Sequence, residues 1–60
     1  MTDGVLIHTE ESVRVYFYEN RVDQKYEFQE RYFDEKGTEK WRKILDSKKK
    51  SEIRKRMASA

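Results

Sequence analysis

The chain has 60 residues, with 14 Lys and Arg against 12 Asp and Glu for a net charge of +2, 43% charged and 35% hydrophobic residues, two glycines, and neither proline nor cysteine. These figures leave room for one small domain, 1–60, and exclude a disulfide framework, a cysteine-ligated zinc or iron–sulfur site, and a proline-rich or collagen-like chain. No apolar run approaches the ~20 residues that span a bilayer, and Met1-Thr2-Asp3-Gly4 lacks the basic start of a signal peptide, so the expected location is the cytosol, away from membranes.

The first expected element is a short strand, Val5-Leu6-Ile7-His8-Thr9. Val5 and Ile7 would share its inner face if Glu10-Glu11-Ser12 forms a three-residue loop. That loop has neither glycine nor asparagine, so the pairing has little turn chemistry behind it. Val13-Arg14-Val15-Tyr16-Phe17-Tyr18 alternates with period two and is rich in β-branched and aromatic residues, the pattern of a half-buried strand. The stretch 25–33, Lys-Tyr-Glu-Phe-Gln-Glu-Arg-Tyr-Phe, reads the same way. A loop around Asn20-Arg21-Val22-Asp23 sets Phe17 against Tyr26 and Val15 against Phe28, which gathers one apolar face. Arg14, Tyr16, Tyr18, Lys25, Glu27, Arg31 and Phe33 fall on the opposite, outer face.

Charge and period both change at Gly37. Residues 1–36 hold nine acids and five bases, whereas 37–60 hold three acids and nine bases. Thr38 suits a helix N-cap, and 39–57 contain no proline, glycine, valine or threonine, which predicts a helix over 38–57 with 58–60 frayed. Basic residues in its last turns would complement the helix dipole. Trp41, Ile44 and Leu45 make one i, i+3, i+4 stripe; Ile53 and Met57 make a second, well around the cylinder from the first. Such a helix must bend or restart near Asp46-Ser47, or dock by its first half alone. The rival reading takes Asp34-Glu35-Lys36-Gly37 as a hairpin turn and 38–45 as a fourth strand. The expected fold is therefore α+β: a small antiparallel meander of three strands, or four, over 5–33 and beyond, followed by one basic C-terminal helix. For so short a chain the gain from burial and the cost of ordering nearly cancel, which favours self-association or a partner.

Little here suits catalysis. His8 is the lone histidine and reads as a half-exposed strand residue. The acids show no metal-binding spacing, and no phosphate loop or nucleophile elbow is present. Serines 12, 47 and 51 form no nucleophile motif with the lone His8. The expectation is a non-enzyme with no cofactor and no metal.

Two features point to binding instead. Eight aromatics are more than a one-layer core hides, and Tyr16, Tyr18 and Phe33 with Arg14 and Arg31 form the tyrosine- and arginine-rich composition of protein-binding hot spots. Lys48, Lys49, Lys50 and Arg54 head the second feature, a basic end that can steer the chain toward an acidic surface or lie along phosphates. The reading is a small protein-binding adaptor, regulator or inhibitor that uses the aromatic sheet face and the basic helix together; an accessory protein of a phage is a guess from size alone. The alternative is a nucleic-acid binder that contacts phosphates through the helix and stacks bases on the sheet. A homodimer across the outer sheet face is a third reading. A small twisted sheet followed by a lysine-rich helix resembles the small archaeal chromatin proteins in outline alone, since their strongly basic sheet is missing and no residue is carried over.

Overall fold

The computed structural model describes residues 4–59, arranged as β1 (Val5–Glu10), β2 (Val13–Phe17), β3 (Tyr26–Phe33), β4 (Glu39–Lys43) and α1 (Ser47–Ser59). The strands form one antiparallel sheet in the order β1-β2-β3-β4, a meander in which every connection joins neighbours. The fold is α+β with the single helix at the C-terminal end.

The central register is the one the alternation dictates. Val15 faces Phe28 and Phe17 faces Tyr26, with the rings of the latter pair 5.2 Å apart. The loop between β2 and β3 is closed by the Tyr18 N–H donating to the Lys25 carbonyl at 2.7 Å, and Gln24 takes a left-handed φ of 48° to complete it. Among the described residues the buried core is Val15, Phe28, Ile44 and Ile53, with Val13 and Met57 packed at its edge.

The β1–β2 hairpin departs from expectation in two ways. Its turn is two residues long, Glu11-Ser12, because Glu10 pairs with Val13. A bulge between Leu6 and His8 then shifts the register, so that Val5 faces Phe17 while His8 faces Val15. An extra residue in one strand re-aims the side chains around it. Here it puts Ile7 and His8, neighbours in sequence, on the same helix-facing side.

Residues 38–45 are not helical. The chain takes the rival course, with β4 at 39–43 paired to β3 so that Trp41 sits opposite Arg31. The turn 34–38 explains the choice. Asp34 Oδ1 accepts the backbone N–H groups of Lys36 and Thr38, both at 2.9 Å, and Gly37 supplies the φ of 80° that the turn needs. Those same N–H groups, Thr38 first, hold the Asp34 carboxyl below its ordinary range. Trp41, Ile44 and Leu45 consequently part company: Trp41 lies on the outer face, Ile44 enters the core, and Leu45 is 77% exposed.

The helix starts where a restart was anticipated. Asp46 caps it, its Oδ1 accepting the Lys48 N–H at 2.9 Å and the Lys49 N–H at 3.4 Å. Lys48, Lys49 and Lys50 therefore occupy the first turn, which contains no acid, instead of the dipole-complementing end. Positive charge there is disfavoured by roughly 0.3–1 kcal/mol per site; among the described residues Lys49 alone of the three has an ion-pair partner on the sheet, Glu30 at 3.8 Å. The helix runs to Ser59, and residue 60 lies outside the described residues.

At its other end α1 is tied to β1. Arg56 makes a two-pronged ion pair with Glu10, Nε and Nη2 each 2.9 Å from a carboxylate oxygen, and His8 Nε2 donates to Glu10 Oε2 at 2.8 Å. The hydrogen bond from Arg56 and then that from His8 pull the Glu10 pKa from 4.5 down to about 2. A depressed carboxylate stabilises the fold above its unfolded pKa and loses that contribution as the carboxylate is protonated. The stability gap between the parent and Glu10→Gln is thus expected at neutral pH and should shrink as pH falls from 4.5 toward 2. Urea midpoints at pH 6, 4 and 2.5 measure it; a gap that stays constant would show that the pair contributes nothing pH-dependent.

Candidate protein-docking face

One face of the sheet is covered by α1, and the other is covered by nothing among the described residues. Alternation decides which side chains reach it. From β2 come Arg14 and Tyr16, with Tyr18 just beyond the strand. From β3 come Glu27, Gln29, Arg31 and Phe33, and from β4 Glu39, Trp41 and Lys43. Leu6 of β1, opposite Tyr16, closes the margin and is 49% exposed.

These groups are held by one another in a continuous run across three strands. The Arg21 guanidinium stacks on Tyr18 at 3.7 Å and reaches Glu27 at 3.3 Å. Glu27 accepts from Gln29 Nε2 at 2.6 Å, and Gln29 Oε1 accepts from Arg14 Nε at 2.7 Å. Arg14 lies between two rings, 4.1 Å from the centre of Trp41 and 5.4 Å from that of Tyr16. Trp41 Nε1 donates to Glu39 at 3.2 Å, Glu39 faces Arg31 at 3.7 Å, and Arg31 leans on Phe33 at 5.5 Å. Each exposed cation–π contact contributes about 0.5–1 kcal/mol. Their larger effect is to fix long side chains before any partner arrives, which lowers the entropy lost on binding.

The residues singled out from sequence divide between two surfaces. Arg14, Tyr16, Tyr18, Arg31 and Phe33 share the outer face; the first four are half-buried among their neighbours, and Phe33 is 58% exposed. Lys48, Lys49, Lys50 and Arg54 lie on α1, whose Ile53 packs into the opposite side of the sheet. The aromatic face and the basic helix therefore back onto each other, and a flat partner cannot touch both at once. The separation is the one the alternation implies, with the rings on the side of the sheet away from the helix.

Trp41 and Arg21 were missed. Trp41 falls within 38–45, which the sequence leaves between helix and fourth strand, and the period-two set Glu39, Trp41 and Lys43 is the signal that places it on this face. Arg21 sits in a loop where no alternation applies. Gly4 also matters to this face, because a Cβ there would lie 2.5 Å from the tip of the Tyr18 ring, so a larger residue would make that ring shift from its place on the start of β1.

Among the described residues no three His, Cys, Asp or Glu side chains gather to hold a metal, and no helix is long and apolar enough to cross a membrane. No protein-family model matches the sequence, and no curated protein or solved structure matches it.

Proposed function

We propose that this chain is a non-enzymatic protein-binding module, an adaptor, regulator or inhibitor whose partner seats on the outer sheet face. The observation that supports this reading is the interleaving of Tyr16, Tyr18, Phe33 and Trp41 with Arg14, Arg21 and Arg31, held in place and left uncovered. Tyr, Trp and Arg give large contact area at low entropy cost and dominate binding hot spots. Rings would fill the centre of the contact, while the cations steer it toward an acidic patch.

Charge favours protein over nucleic acid as the occupant. Glu27 and Glu39 stand on the same face and already engage Arg21 and Arg31, so phosphates would meet carboxylates between the rings. A protein surface of mixed charge suits such a pattern better than a uniformly anionic strand.

Titration with labelled single- and double-stranded oligonucleotides at two salt concentrations tests the choice. No binding at low salt is expected. Tight binding that falls steeply with salt and weakens in Trp41→Ala would replace this reading with the nucleic-acid one.

A further inference from the structure

The helix does not cover the whole inner face of the sheet. Beyond Phe28 it ends, leaving an open groove of about 360 Å³ lined by Ile7, Tyr26, Phe28, Met57 and Ala58, with Arg54 at its rim. Tyr26 is 45% exposed and Ile7 43%, and Val5, farther along β1, is 60% exposed. The volume falls at the lower end of the ~300–1,000 Å³ range of ligand pockets. It is apolar apart from one guanidinium.

Two features specify what fits. The Arg54 guanidinium lies 5.0 Å from the centre of the Phe28 ring and, among the described residues, has no carboxylate in ion-pair range, whereas Arg21, Arg31, Arg42 and Arg56 each have one. An unpaired guanidinium against an aromatic wall calls for a carboxylate, which it can bind through two parallel hydrogen bonds. Beside the groove runs β1, the first strand of the sheet, and among the described residues no strand pairs with its far side. Its free backbone groups suit an extended peptide that adds along the edge while one side chain drops into a pocket. The bulge is what turns Ile7 toward that pocket. A second copy of this chain is a poor occupant, since a two-fold contact through the groove would set one Arg54 guanidinium against the other.

We propose that this groove binds an extended acidic peptide segment: an apolar side chain enters between Ile7, Phe28 and Met57, an adjacent carboxylate pairs with Arg54, and the backbone lies along β1. The site is independent of the outer face and does not rest on its occupant.

The test is titration of the isotopically labelled full chain with the capped hexapeptide Glu-Asp-Leu-Phe-Asp-Glu, followed by amide chemical shifts. Shifts centred on Ile7, Tyr26 and Met57 are expected. Affinity should fall about tenfold in Arg54→Gln and recover in part in Arg54→Lys. Tyr16→Ser should bind as the parent does, and thermal melts check that each variant is folded. Any of four results overturns the proposal: no shift at millimolar peptide, shifts centred on Trp41 and Phe33, equal binding of the peptide with its acids replaced by lysine, or a doubled mass in sedimentation that buries Ile7 without peptide.

Discussion

Phe28→Ala is expected to unfold the domain at room temperature. Phe28 is 2% exposed and sits opposite Val15, which is fully buried, in a core of four side chains among the described residues. Removing a buried aromatic costs about 3–5 kcal/mol through lost transfer energy and the cavity left behind. A single core in a chain of this size supplies no more than about 3–5 kcal/mol in total. Neighbours cannot collapse to fill the gap, because Val15 and Ile44 are fixed by the sheet and Ile53 by the helix. Circular dichroism should show no cooperative melt. A variant that melts within a few degrees of the parent would remove Phe28 from the core.

The second large effect concerns α1. Deleting 47–60 is expected to abolish folding, although the helix is strongly basic and mostly exposed. Ile53, 3% exposed, is its one fully buried side chain, and it is the lid over Val15, Phe28 and Ile44. Without it the inner face of the sheet opens to water, and an uncovered four-stranded sheet of this size has no second layer. Ile53→Ala isolates the same contact and should cost about 2–5 kcal/mol. A fragment ending at Asp46 that retains a cooperative melt would show that the sheet stands alone.

These effects differ in how far the sequence announces them. The pairing of Val15 with Phe28 follows from alternation, since a slip of one residue would turn every apolar side chain to water. The identity of β4 was harder. Glu39-Lys-Trp-Arg-Lys has no β-branched residue, and each of its residues is tolerated in a helix; its strand state is imposed by the Asp34–Gly37 turn and by the free edge of β3. Charged side chains also suit it as an edge strand, where they discourage further pairing. With 38–45 read first as helix and only second as a strand, Trp41 does not join the outer-face set. The bulge at Ile7 has no local signature in the sequence, because it depends on how β1 meets both β2 and the end of α1. Arg54 was singled out for its charge, but its placement over Phe28 became visible only once Ile53 had fixed the rotation of the helix.

The outer face remains the centre of the account. Its rings and guanidiniums were legible as a set from period-two spacing alone, apart from Trp41 and Arg21. Their mutual fixing was not, since cross-strand contacts such as Arg14 between Tyr16 and Trp41 need the register of three strands at once.

The most direct measurement is site-specific photocrosslinking in an extract of the source cells. A benzophenone residue placed at position 33 samples the outer face, and one at position 48 samples the helix. A discrete protein adduct is expected from position 33, surviving nuclease treatment and lost when Trp41→Ala is added. Adducts confined to position 48, or adducts from position 33 that disappear with nuclease, would contradict the outer-face reading.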